Sequence, residues 1–239
     1  MQISKYFKPE ALMFAAFLAT LPIYSPNQLL FETELLQRAA YMPAFANTLL
    51  GASVVLGVAV AIVSARGRLA VILRGGVVLV ASVAYVAGYA LFALAAGFES
   101  FAQPIFGVTA GLLLAVSTVV LSVAWGAYLG QFNLRQALLW LAVMVGVAAL
   151  VELLLSSVTF AVGLIVFAVL VPLSCLVPCW LAWRGRLIAV REAGEAESRS
   201  APTLGAMAQL RQMAQVVAMP FVGLMVFAFM MGARKFVLF

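Results

Sequence analysis

The sequence predicts an all-α fold: a polytopic transmembrane helical bundle with about six full spans, a truncated seventh span and a cytoplasmic N-terminus. The composition, the length of the apolar runs and the placement of the arginines lead to this prediction. Of the 239 residues, 66% are hydrophobic and 9% are charged, whereas a soluble domain averages about 25% charged residues. A water-soluble domain of this size exposes too much surface for that composition. The lipid bilayer is therefore the first expected partner.

The apolar runs set the predicted spans, because a helix needs about 20 apolar residues to cross about 30 Å of hydrocarbon. Suitable runs lie at 11–24, 41–64, 75–96, 104–128, 137–156 and 160–183. A further run begins near Met219 and meets Arg234 after about fifteen residues, which is too short to cross alone. The predicted organisation is a six-span bundle at 1–183, a cytoplasmic loop at 184–218 and an incomplete seventh span at 219–239.

The long predicted loop has an amphipathic second half. Apolar residues recur at helical spacing between Leu204 and Val217, with polar residues between them. This pattern predicts a short interfacial helix that lies on the inner membrane surface. The alternative interpretation is a plain linker between two halves of a larger protein.

The basic residues fall in alternate connections between the predicted spans. Among the residues before Met219, Arg38 is the one basic residue on the opposite side. Since cytoplasmic loops are enriched in Lys and Arg, the pattern places the N-terminus and the basic loops in the cytoplasm. It predicts a multi-pass protein of a cell membrane. The arginines that determine this topology are Arg66, Arg68, Arg74, Arg184 and Arg186.

The tryptophans give a second prediction about topology. All four lie near the predicted cytoplasmic ends of spans, at positions 125, 140, 180 and 183. Indole rings are amphipathic and favour the level of the lipid headgroups. We therefore expect all four rings at that interface.

Small residues recur at every fourth position in two spans. Such stripes allow membrane helices to approach closely, so we expect them to face neighbouring helices. The alternative is that Gly and Ala are simply common in membrane helices. The predicted packing residues are Ser53, Gly57 and Ala61 in the second span, and Gly107, Gly111 and Ala115 in the fourth.

Three polar side chains within the spans are candidates for ligand binding. Glu152 is the one acid inside a predicted span, and intramembrane acids are functional candidates by default. Its place near the outer end of the fifth span also allows it to reach water. Tyr85 and Tyr89 share one face of the third span, where they either line a cavity or pack with their hydroxyls satisfied.

The sequence contains no pattern for catalysis or for a metal. There is no histidine, and aspartate is also missing, so most hydrolytic and metal chemistry lacks its parts. Cys175 and Cys179 are one helical turn apart, which is poor geometry for a disulfide and insufficient for zinc. We predict neither an enzyme nor a cofactor. The net charge of +6 is explained by topology, so we expect no direct nucleic-acid contact by this segment.

Two stretches carry a family resemblance. The sequence LSVAWGAYLG, Leu121 to Gly130, and the opening of the seventh span, Met219 to Gly232, are similar to the membrane region of LuxR-type helix-turn-helix regulators of Eggerthella-like actinobacteria. Arg66 to Arg68 also resembles the end of the loop motif of major facilitator transporters. An acid often follows the Trp-Gly pair in the regulators, and Ala127 stands there in this chain.

The resemblance implies a function as well as a fold. Such regulators carry about twelve facilitator-like spans and a cytoplasmic DNA-binding domain, so the chain corresponds to the N-terminal half of that membrane module, as a truncated product or fragment. The implied function is a sensory module that binds an unknown small ligand. The alternatives are half of a facilitator-like secondary transporter for a small solute and a nonfunctional remnant. The expected partner is the missing C-terminal half or a second copy of the chain.

Overall fold

The computed structural model describes residues 9–22, 41–95, 102–130, 132 and 134–189, and the regular elements within these ranges are helical. A short 3-10 turn, Leu69–Val71, follows α2. The predicted interfacial helix and the predicted seventh span lie outside the described residues. The helices in chain order are α1 Pro9–Ala19, α2 Tyr41–Ala65, α3 Gly75–Ala95, α4 Gln103–Leu129, α5 Leu134–Ser157 and α6 Phe160–Trp183.

Helices α2 to α6 each contain an apolar stretch that is long enough to cross a membrane. These five stretches are Met42–Ser64, Gly75–Ala95, Gln103–Leu129, Gln136–Leu155 and Ala161–Trp183. They coincide closely with the second to sixth predicted spans, because glycine, proline and arginine interrupt the apolar runs at the same places. The part of the chain that the structure describes is thus an all-helical bundle suited to a lipid bilayer.

Helix α1 ends earlier than the first predicted span. Its 11 residues extend about 16 Å at 1.5 Å per residue, which is half of a bilayer core. The helix was expected to continue to Tyr24, but it ends at Ala19. Pro22 has no N–H to donate to the carbonyl of Leu18, and it disfavours the helical conformation of Leu21. The rest of the predicted span, from Ile23, lies outside the described residues.

The bundle has two groups of contacts. Helix α4 packs against α2 and α3, while α1 packs against α5 and α6, and α3 joins the groups by packing against α6. The closest approach between α2 and α4 is at Gly111, where an added Cβ would lie 2.9 Å from the carbonyl oxygen of Phe45. Small residues therefore determine how closely these two helices approach.

One end of the bundle carries the arginines of two connections, and we call it the arginine end. Helix α3 begins there beside the end of α6, because a Cβ added at Gly75 would lie 3.3 Å from the Cα of Trp183. Gly67 and Gly185 follow α2 and α6 with φ angles of 67°, the left-handed conformation that ends many helices. Each glycine stands between two arginines, whose charges favour a helix C-terminus. The other end of the bundle is called the far end.

Candidate functional site

Tyr85 and Tyr89 come together around the end of α1. Their rings meet edge to face with centroids 5.2 Å apart. The Tyr85 hydroxyl donates to the Thr20 carbonyl oxygen at 2.7 Å and lies 3.1 Å from the Thr20 hydroxyl. The Tyr89 hydroxyl donates to the same carbonyl oxygen. The two tyrosines of α3 therefore bind one main-chain oxygen of α1.

The local sequence explains why Thr20 needs these partners. The last carbonyl groups of a helix have no N–H donor within the helix itself. Pro22 prevents another turn that would supply one. The Thr20 hydroxyl donates back to the Ala16 carbonyl at 2.9 Å, and the Thr20 carbonyl accepts from the tyrosines of α3. Both tyrosines and Thr20 are buried, so an unpaired carbonyl here would be costly.

This contact lies about halfway along the bundle. Tyr85 is ten residues from the start of α3 at Gly75, or about 15 Å along the helix axis. Helix α1 begins near the arginine end, where Glu10 lies beside Tyr128 of α4, and it stops at mid-depth. We call the group formed by Thr20, Tyr85 and Tyr89 the mid-depth site.

Further polar side chains extend the mid-depth site toward α6. The Cys179 thiol donates to the Ser82 hydroxyl at 3.0 Å, and Ser82 donates to the Val78 carbonyl at 2.8 Å. Cys175 is buried, and both cysteines are free thiols, as their spacing predicts. Within the described residues no group of His, Cys and acid side chains could hold a metal ion. The hydroxyl, thiol and carbonyl groups named here are hydrogen-bonded to one another or to the helix backbone.

Glu152 lies on the buried face of α5. It was expected near water at the outer end of its span, and its side chain is 9% exposed. It continues a stripe of buried residues spaced by three or four positions, which places it toward the bundle interior. In the part of the chain that the structure describes, no hydrogen bond or ion pair joins Glu152 to another residue, the two tyrosines included. The other members of the stripe are Trp140, Met144, Ala148 and Leu155.

Removing the Glu152 carboxyl group is expected to stabilise the protein. An acid buried without a described partner costs desolvation energy, about 1–3 kcal/mol for a polar group that has no hydrogen bond, and an apolar replacement removes that cost. We therefore expect Glu152→Leu to raise the melting temperature in detergent. Leu153→Ala, at an exposed neighbouring position, is the control and should change it little. A lower melting temperature for Glu152→Leu would show that the carboxyl group has a partner that stabilises the fold.

A second polar group was missed by the sequence analysis. The Oε2 atom of Glu10 and the Nε1 atom of Trp125 are buried without a hydrogen bond. They lie at the arginine end in a cluster of aromatic rings, where Phe14 and Trp125 have centroids 4.9 Å apart. The sequence did contain a signal for Glu10, because it is an acid in the first turn of an apolar helix, and a helix N-terminus favours negative charge.

The tryptophans divide into two pairs. Trp125 and Trp140 are 1% and 4% exposed, so their rings pack inside the bundle and not against lipid. Tyr128 lies between them, with centroid distances of 5.8 and 6.2 Å. Trp180 and Trp183 are exposed, as predicted. An indole near a span end can pack inward as well as outward, and the position along the chain alone does not distinguish the two cases.

The two predicted packing stripes differ in how deeply they are buried. In α4, Gly107, Gly111 and Ala115 are all buried. In α2, Ser53 is partly buried, while Gly57 and Ala61 are exposed, and no described atom lies within 4 Å of a Cβ added at Gly57. Helix α2 uses another face, with Phe45 and Leu49, to pack against the bundle.

The topology-determining arginines are all at the surface of the arginine end. Arg66, Arg68 and Arg74 are exposed in the connection between α2 and α3, and Arg184 and Arg186 are exposed just after α6. The contact between Gly75 and Trp183 brings the two connections to one end of the bundle.

Comparisons of the chain with protein-family models, curated proteins and solved structures find no match.

Proposed function

We propose that the chain is a ligand-binding helical module embedded in a membrane, and that it is the sensory part of a transcriptional regulator. The supporting observation is the mid-depth site, where α1 ends and two hydroxyls of α3 bind its terminal carbonyl oxygen. Backbone that is not helical is tolerated inside a membrane only where protein or a cavity satisfies it. Membrane transporters often bind small polar solutes where a helix ends near the middle of the bilayer.

The proposed mechanism is a shift between two arrangements of α1. In the first, Tyr85 and Tyr89 bind Thr20 and hold α1 against α3. A small ligand with hydrogen-bond donors would compete for the Thr20 carbonyl oxygen, and its preference for the released arrangement would shift the equilibrium. Glu152 lies on α5, outside the group formed by Thr20, Tyr85 and Tyr89, and it is a separate candidate for binding a ligand that carries a donor or a positive charge.

Half of a facilitator-like secondary transporter is the second candidate. The end of α1 at mid-depth supports it, because secondary transporters commonly bind their solutes near the bilayer midplane. The two candidates share the binding site and differ in the result of binding. A transporter moves its solute across the membrane, whereas a sensor binds it without net movement.

The proposal includes a finer topology. The chain before Tyr41 would complete a first span, the chain after Met219 would begin a seventh, and the arginine end would face the cytoplasm at a bacterial inner membrane. The charge asymmetry between the two ends supports this orientation. A second copy of the chain or a further set of spans would complete the bundle.

A ligand screen tests the proposed function. Small metabolites would be added to the protein in nanodiscs, and a ligand at about 100 times its Kd is expected to stabilise the protein by about 2.7 kcal/mol. For a protein of this size that corresponds to roughly 5–10 °C in Tm. The same ligand should have little effect on a Tyr85→Phe, Tyr89→Phe double variant.

The same ligand distinguishes the two candidates. The radiolabelled compound would be offered to proteoliposomes that contain the full gene product. The sensory function predicts binding without accumulation inside the vesicles. Concentrative uptake that depends on an ion gradient would reject the sensory function and favour the transporter. A ligand that stabilises the double tyrosine variant as much as the wild type would reject the mid-depth site.

A further inference from the structure

Two guanidinium groups lie against one tryptophan ring at the arginine end. The Cζ atom of Arg184 is 4.4 Å from the centroid of the Trp180 ring, and that of Arg186 is 5.4 Å away. A cation over an indole face is attracted by the ring quadrupole, which limits the movement of these long side chains. The turn at Gly185, with φ of 67°, allows both neighbours to reach the same ring. The two positive charges are therefore held close together.

The start of α3 brings a third arginine to the same place. Gly75 is in close contact with the backbone of Ala182 and Trp183, so Arg74, the residue before it, lies beside the end of α6. Arg74, Arg184 and Arg186 are all exposed. Within the described ranges, none of the three forms an ion pair with a carboxylate. The three arginines are therefore neighbours along the backbone at this end of the bundle, and we call them the arginine triad.

The arginine triad lies at the level expected for lipid headgroups. Arg184 directly follows the apolar stretch Ala161–Trp183, and Arg74 directly precedes Gly75–Ala95. Trp183 is 77% exposed and Trp180 is 43% exposed, which is typical of indoles at a membrane interface. Phosphate groups of lipids occupy this level, and arginine binds phosphate oxygens through two parallel hydrogen bonds.

We propose that the arginine triad, with Trp180 and Trp183, binds the phosphate headgroup of an anionic phospholipid. The guanidinium groups bind the phosphate, and the exposed indoles pack against the glycerol and the upper acyl chain. A zwitterionic lipid carries its own cationic group, so it compensates the triad less well than a lipid with net negative charge. Basic clusters at the ends of membrane helices are suited to anionic lipids for this reason.

Quenching of tryptophan fluorescence by brominated lipid tests the proposal. The protein would be placed in vesicles of phosphatidylcholine with a minor fraction of phosphatidylglycerol. In one sample the phosphatidylglycerol carries bromine, and in the other an equal fraction of the phosphatidylcholine does, so the overall composition is identical. Trp180 and Trp183 report on the lipid beside the triad, because Trp125 and Trp140 are buried. We expect stronger quenching by brominated phosphatidylglycerol.

Matched variants locate the preference. Arg184→Gln with Arg186→Gln should reduce the relative affinity for phosphatidylglycerol by roughly fivefold for each charge removed, and Arg74→Gln should reduce it by about fivefold. The control is Arg66→Gln with Arg68→Gln, which removes two charges from the same end without touching Trp180, and it should retain most of the preference. Comparing both lipids within each variant removes any direct effect on indole emission.

Several results would overturn the proposal. Equal quenching by the two brominated lipids in the wild type would show that no anionic lipid is selected. An equal loss of preference in the control would show a general charge effect at this end of the bundle. Loss of the preference on addition of millimolar inorganic phosphate would show that the triad takes a soluble anion and not a lipid headgroup.

Discussion

Gly111→Ala is expected to destabilise the bundle more than any other single methyl addition that we compare. The new Cβ would lie 2.9 Å from the carbonyl oxygen of Phe45 and 3.3 Å from the backbone nitrogen of Leu49. These are main-chain atoms of α2, so the helices must separate and lose contacts along their interface. Overpacking of this kind costs about 1–3 kcal/mol. The measurement is the free energy of unfolding in a detergent titration.

Two further glycines provide graded controls for this prediction. At Gly88 the added Cβ would lie 2.8 Å from Cγ of Leu114, a side chain that can shift, so Gly88→Ala should cost less than Gly111→Ala. At Gly126, also in α4, no described atom lies within 4 Å. Gly126→Ala should be neutral or slightly stabilising, because alanine favours a helix by up to about 1 kcal/mol. Equal stability of the Gly111 and Gly126 variants would contradict the close α2–α4 contact.

Removing both tyrosine hydroxyls at the mid-depth site is expected to cause the second large loss of stability. Either Tyr85→Phe or Tyr89→Phe leaves one donor on the Thr20 carbonyl oxygen, so each is expected to cost only about 0.6 kcal/mol. The double variant leaves a buried carbonyl unpaired, at a cost of about 1–3 kcal/mol. We therefore expect the double variant to lose more stability than the sum of the single variants.

Hydrogen exchange shows where that stability is lost. Amides near the end of α1, from Leu18 to Leu21, should exchange faster in the double variant, while those of α4 should not. Tyr128→Phe is the matched control, since Tyr128 is also buried but lies at the arginine end. Losses that simply add, within about 0.5 kcal/mol, would show that the two hydroxyls do not share one acceptor.

The sequence predicted the long helices well, because their bounds follow from composition. Helix α6, for example, begins at Phe160 and ends at Trp183, as its apolar run predicts, since Thr159 precedes it and an arginine-glycine turn ends it. Burying a polar residue in lipid is costly, so the polar residues mark the ends of such helices. The same argument predicted five of the spans within a few residues.

The side on which each residue packs was harder to predict. A helix that is apolar all round has no polar face to mark its outer side, so the sequence could not show that Gly57 faces outward and Gly111 inward. The same ambiguity hid the inward packing of Trp125. The tyrosines were predicted as a pair on one face, but their partner Thr20 was not predicted. That contact depends on α1 ending before Pro22, which hydropathy does not report.

Cysteine accessibility tests the central claim, which is that the helices cross a membrane with both Arg-Gly-Arg turns on the cytoplasmic side. Single cysteines would replace Arg66, Arg186 and Val158 in a protein that lacks Cys175 and Cys179. All three positions are exposed, and Val158 follows α5 at the far end. An impermeant maleimide added to intact cells should label Val158→Cys alone, and the other two only after the membrane is permeabilised. Labelling of Arg66→Cys and Arg186→Cys from outside would contradict the account.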